Sequence, residues 1–197
     1  MHSYSIDTNN YSTILWFVTI LSALLNAGLN IFILPKFGIT GDNLNLQLLG
    51  LLISFFVSFN VIFWLFDYYI WKLSIINYLI KYPNISGKWT GTINNPDYEP
   101  IPTEVEIKQT WTKININLKT KTANSNTKAL AFFVEDYDNP KLIYMYYNES
   151  ETADLKSHGG TAKLEFLKSE NVLKGDYYTD KHRTNQGTIY LKRKNIN

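Results

Sequence analysis

The chain has 197 residues and a formal net charge of +2, so no global basic field marks it as a partner for duplex nucleic acid. It contains no cysteine, which excludes a disulfide framework, thiol catalysis and zinc–thiolate sites. Its histidines, His2, His158 and His182, match no metal-ligand spacing, and the last two read as surface-loop residues.

Near the N-terminus, Asp7 and Lys36 bracket a charge-free stretch, and Asp42 and Asp67 bracket a second. Each exceeds the ~20 apolar residues needed to cross ~30 Å of hydrocarbon. Two transmembrane helices are therefore expected, at about 14–34 and 44–66. The first lacks a basic start and a small-residue cleavage site, so it reads as a span and not as a cleaved signal peptide. The connection LPKFGITGDN, with Pro35, Gly38 and Gly41, predicts a tight antiparallel hairpin. Lys72, Lys81 and Lys88 follow the second span against Lys36 in the loop, and this bias places the C-terminal domain in the cytoplasm.

Gly50, Ser54 and Ser58 form a small-residue stripe on the second span, and Ser22, Asn26 and Asn30 share a face of the first. These faces either zip the hairpin to itself or let subunits associate. Neither span carries a charge, so a charge-lined ion pathway is not expected. The following DYYIWKLSIINYLIKYP supplies Tyr68, Tyr69, Trp71, Tyr78 and Tyr82 as an interfacial belt, with Lys72 and Lys81 able to snorkel. Pro83 ends it, dividing a membrane part, 1–83, from a second domain, 84–197.

Beyond Asn84 the period changes to two. Val105, Ile107, Gln109 and Trp111 alternate with Glu104, Glu106 and Lys108; Ile114, Ile116 and Leu118 alternate with Lys113, Asn115, Asn117 and Lys119. Ala162, Leu164 and Phe166 repeat the pattern, as do Ile189, Leu191 and Arg193. Such alternation marks antiparallel strands with one wet face. Turn signals at 94–96, 124–126, 138–140, 169–171 and 185–187 separate eight strands: 87–94, 103–110, 112–120, 127–136, 141–148, 160–168, 171–179 and 187–194. The expected fold is a membrane-anchored all-β protein: two N-terminal transmembrane helices, then a compact eight-stranded antiparallel β-barrel. Closure removes sheet edges and leaves an interior able to hold one small ligand.

The opening ISGKWTGTI resembles the Gly-x-Trp strand of lipocalin and fatty-acid-binding barrels, which implies that Trp89 packs across one end beneath Arg193. Strand parity turns Tyr144 and Tyr146 inward, with Tyr177 and Thr179 on a later strand and Gln109 and Trp111 on an earlier one; Arg183 stands in the adjoining turn. These residues either satisfy one another in a closed core or form a ligand site, with aromatic faces for planar bases and Arg183 and Thr179 for phosphate oxygens. No Gly-rich phosphate loop, HExxH, serine elbow or spaced carboxylate pair is present, so no catalytic residue, metal or cofactor is expected and the protein is not read as an enzyme.

The two helices followed by ISGKWTGTI, KLIYMYYNE, HGGTAKLEF and GDYYTDKHRTNQGTIYLKR resemble the two-transmembrane, β-strand-rich effectors of bacterial cyclic-oligonucleotide anti-phage signalling systems (CBASS). The resemblance implies a cytoplasmic barrel that binds a cyclic dinucleotide made by a partner nucleotidyltransferase. It further implies self-association of the helices in the phospholipid bilayer, inner-membrane disruption, and growth arrest or death of the infected cell. The alternative is a membrane-anchored, lipocalin-like carrier or sensor of a lipid-like molecule, with lumen polarity as the discriminator.

Overall fold

The computed structural model describes residues 1–7, 10–37, 44–136, 138–150, 157–181 and 185–194. Its elements in chain order are β1 (His2–Ser3), β2 (Ser5–Ile6), α1 (Asn10–Gly28), α2 (Leu44–Tyr68), α3 (Ser74–Ile80), β3 (Gly87–Asn95), β4 (Tyr98–Gln109), β5 (Lys113–Lys119), β6 (Ala123–Phe133), β7 (Lys141–Ser150), β8 (His158–Leu167), β9 (Val172–Thr179) and β10 (Gln186–Arg193). Two compact units result: residues 8–76, and residues 77–197 together with 1–7.

In the helical unit, Tyr11–Phe32 and Leu48–Lys72 are long and apolar enough to cross a membrane. After Gly28, α1 widens into a π-turn at Leu29–Ile33 and tightens into a 3-10 turn at Leu34–Phe37, where Pro35 cannot continue the ladder. Trp16, Leu24, Phe56 and Val57 are all more than half exposed, whereas Val18, Ser22, Asn26, Ser58 and Ile62 are buried. Small polar residues between the helices, set among Val18 and Ile62 beneath an apolar exterior, are an arrangement that hydrocarbon favours. The Ser54 hydroxyl donates to Asn26 Oδ1 at 2.5 Å, Asn30 Nδ2 donates to the same oxygen at 3.0 Å, and Asn26 Nδ2 reaches the Leu51 carbonyl at 3.3 Å. The polar faces read from the sequence thus zip the hairpin to itself.

The second unit is a closed eight-stranded antiparallel barrel, ordered β5-β4-β3-β10-β9-β8-β7-β6 and back to β5. Alternate residues fill its core: Val105, Ile107, Ile114, Ile116, Leu142, Leu164, Phe166, Ile189 and Leu191 are buried, and the intervening Lys and Glu face out. The expected turn at 124–126 is instead part of β6. Asn124, Ser125 and Asn126 pair with Lys119, Leu118 and Asn117, and Asn117 Nδ2 donates to both Asn124 Oδ1 and Asn126 Oδ1 at 2.8 Å. Each amide finds its partner across the pair, which overrides the local turn preference of asparagine.

The register of β10 on β3 sets Arg193 opposite Trp89. The guanidinium carbon lies 4.6 Å from the Trp89 ring centre and 5.5 Å from that of Phe166, and the two rings meet edge to face. Trp89 Nε1 donates to the Ile85 carbonyl at 3.0 Å and Arg193 Nη2 to the Asn84 carbonyl at 2.7 Å. One end of the barrel is thereby plugged.

The seam between β5 and β6 pairs over only 117–119 with 124–126. Where these strands part, the N-terminus enters: β1 pairs antiparallel with β5, and β2 pairs parallel with β6. The Tyr4 hydroxyl donates to the Thr110 carbonyl at 3.2 Å, its ring packs edge-on against Phe132, and Asp7 Oδ1 accepts from the Val134 amide at 2.7 Å. Residues this close to the start are too few to show a periodicity, so this arm is a product of the tertiary fold. Tyr4→Ala is expected to destabilise the barrel by about 1–2 kcal/mol and to accelerate amide exchange at Val134, checked by hydrogen-exchange mass spectrometry; unchanged exchange would contradict the seam closure.

Candidate functional site

At the end of the barrel away from Trp89 the inward side chains do not meet. They leave a cavity of about 310 Å³, at the lower end of the ~300–1,000 Å³ usual for ligand pockets. Tyr98, 61% exposed, stands on its rim, so the cavity reaches solvent. Its floor is apolar, with Ile93, Ile116, Leu118 and Ile189; its walls are tyrosine, hydroxyl and amide groups.

Glycines make this room. Tyr146 pairs with Gly160 and Tyr177 with Gly187. A Cβ on Gly160 would fall 2.4 Å from the Tyr146 ring, and one on Gly187 would fall 2.8 Å from the Tyr177 ring. Lacking side chains, the glycines let each ring lie back against the neighbouring strand instead of filling the lumen.

Four residues expected from parity come together here: Tyr144, Tyr146, Tyr177 and Thr179 all line the cavity. Tyr144 and Tyr146 have ring centres 6.1 Å apart. Burial, followed by the neighbouring Tyr146, pushes the Tyr144 phenol well above its ordinary pKa, so it is a neutral donor across physiological pH. The Thr179 hydroxyl accepts from the Asn185 amide at 2.7 Å and donates to the Asn185 carbonyl at 3.0 Å, fixing the start of the last turn. Arg183 and His182 lie outside the described residues.

Gln109 and Trp111 do not join this group, which corrects the expectation from parity. Gln109 is at the plugged end, where its Oε1 accepts from the Ile85 amide at 3.0 Å and its Nε2 donates to the Pro83 carbonyl at 2.9 Å and the Tyr4 hydroxyl at 3.2 Å. Trp111 is buried beside Tyr82. Parity gives the face a residue points to, not its height along the barrel axis, and β4 runs toward the plug as β3 runs away from it.

His158 is also corrected. It is no loop residue but the buried first residue of β8, lining the cavity with its Nε2 3.5 Å from Asn148 Nδ2. Asn95, missed in the sequence, gathers the rim: its Nδ2 hydrogen-bonds to Asn185 Oδ1, to the Gln186 carbonyl at 2.7 Å and to the Tyr177 hydroxyl at 3.5 Å. A bulge between Ile93 and Asn95 turns this side chain toward the rim, and no residue-type pattern announces it. Among the described residues the lining has no Lys, Arg, Asp or Glu. It can offer π-faces and hydrogen bonds from phenol, hydroxyl, amide and imidazole groups.

Residues 80–193 match the family model "Cap15, cyclic dinucleotide receptor domain". The chain belongs to that family. It is also 29% identical over 132 residues to CD-NTase-associated protein 15 of Yersinia aleksiciae, an alignment covering 65% of this chain. The chain spans 64% of that relative's length. The Cap15 match begins within α3 and ends with β10, so it takes in the whole closed barrel and its cavity. Two apolar helices ahead of a Cap15 receptor barrel form the architecture that the CBASS resemblance implied.

Proposed function

We propose that the barrel binds a cyclic dinucleotide in the tyrosine-walled cavity and relays binding to the membrane hairpin. The observation that carries this is the open, tyrosine-walled vestibule at the end of a Cap15-family barrel away from Trp89. Tyr144, Tyr146 and Tyr177 present faces for two bases, while Thr179, Asn95 and His158 offer hydrogen bonds to the sugar–phosphate ring. Arg183, four residues after Thr179 in the sequence, supplies phosphate charge in this reading.

Binding then favours a state in which the hairpins of several copies associate, which requires tighter ligand affinity for that state than for the separate one. The associated helices disrupt the bacterial inner membrane and arrest or kill the infected cell, with the barrel in the cytoplasm. A cognate nucleotidyltransferase makes the ligand.

The test is thermal shift of the full chain in lipid nanodiscs against purine and pyrimidine cyclic dinucleotides. A binder at 100 times its Kd should stabilise the barrel by about 2.7 kcal/mol. Tyr177→Ala should weaken that binder by about 5- to 150-fold, the equivalent of ~1–3 kcal/mol for one stacked base. No shift from any cyclic dinucleotide would defeat the reading, and a lipid co-purifying in native mass spectrometry would favour a carrier instead. An unaltered affinity in Tyr177→Ala would defeat the site assignment.

A further inference from the structure

The polar side chains of the two apolar spans are mostly accounted for inside the hairpin: Ser22, Asn26 and Ser58 are buried, and Asn30 and Ser54 bond to Asn26. Asn60 is different. It lies seven residues before Asp67, the charge that ends the apolar stretch, and so roughly 10 Å inside that end at ~1.5 Å per residue. Its side chain is exposed on the outer surface of α2. Nδ2 donates to the Phe56 carbonyl one turn back at 2.7 Å, and the amide oxygen has no partner among the described residues.

In a bilayer this places an acceptor and a second N–H at the depth where no water can satisfy them. Leucine there would meet the lipid without that penalty, and the hairpin's own polar contacts do not use Asn60. We propose that Asn60 is the contact through which α2 of one copy of this chain meets α2 of a second copy in the membrane. Copies inserted in the same orientation present Asn60 at one depth. An amide carries both donor and acceptor, so a like residue satisfies it, as no apolar lipid or helix can. Ile53, Val57 and Trp64, all at least half exposed and seven, three and four residues away, share its face and supply the packing around it. This inference rests on the reading in which the hairpin spans the bilayer, and it names the face used in the proposed association.

Because the chain has no cysteine, single-cysteine variants of the full protein report directly on proximity. In bilayers treated with copper phenanthroline, Asn60→Cys should cross-link into dimers, whereas Ser58→Cys, buried within the hairpin, should not. Energy transfer between labelled copies in liposomes should show association at least tenfold weaker for Asn60→Leu and largely retained for Asn60→Gln. Equal cross-linking at both positions, none at position 60, or wild-type association of Asn60→Leu would each overturn the proposal. Cyclic dinucleotide binding is measured separately on the same liposomes. If the wild type binds none, the sensing reading fails, and the cross-linking still decides the contact.

Discussion

Trp89→Ala is expected to lower the stability of the barrel by about 3–5 kcal/mol, the range for emptying a fully buried aromatic site. Trp89 has no exposed surface, packs against Phe166, and donates to the Ile85 carbonyl that anchors the approach to β3. The loss propagates to Arg193. Burial already pulls that guanidinium below its ordinary pKa, and the π-face beneath it offsets part of the desolvation. Without the ring the cation is buried on one side only. Chemical denaturation of the full chain in detergent, followed by hydrogen exchange of β3 and β10 amides, measures the effect. A loss below about 1 kcal/mol would mean that the plug contributes little to closure. A domain of this size has about 5–15 kcal/mol in total, so the variant should keep a much narrower margin of stability.

The adjacent glycines of HGGTAKLEF should respond very differently to the same change. Gly159 points outward, and a Cβ there meets the Asp180 carboxylate oxygen, which accepts from the Gly159 amide at 2.8 Å, at 3.3 Å, so it need give by only a few tenths of an ångström. Gly160 points inward, and a Cβ there meets the Tyr146 ring at 2.4 Å and the Tyr178 carbonyl at 2.6 Å. The ring can swing away only into the cavity, and the carbonyl belongs to the β8–β9 ladder. Gly160→Ala is therefore expected to cost about 1–3 kcal/mol from overpacking and to abolish the binding proposed for the cavity. Gly159→Ala should change stability by no more than about 0.5 kcal/mol. Melting temperatures and calorimetric titration of both variants make the comparison. Equal tolerance at the two positions would show that the Tyr146 ring is not held back by the missing side chain.

Much of the barrel was legible because one physical rule repeats along it. Alternation of Lys and Glu with Ile, Leu and Val forces one face inward, and a register error would turn every charge into the core. Trp89 with Arg193, and Tyr144, Tyr146, Tyr177 and Thr179 as inward residues, followed from parity and resemblance. The turn at 124–126 was misread because asparagine propensity is weak where the amides can pair across strands. His158 was misread because Gly159 and Gly160 erase the alternation that would have marked the start of β8.

The sequence by itself determined two apolar spans, a two-residue period with eight repeats, and the side of each strand that faces inward, since these depend only on local spacing and transfer energy. Tertiary structure alone decided the height of each inward residue along the barrel axis, which separated Gln109 and Trp111 from the tyrosines. It also brought the N-terminal arm into the β5–β6 seam and left Asn60 outside the hairpin. Those outcomes depend on which strand or helix lies alongside which, and neighbours distant in the chain leave no mark on the local pattern.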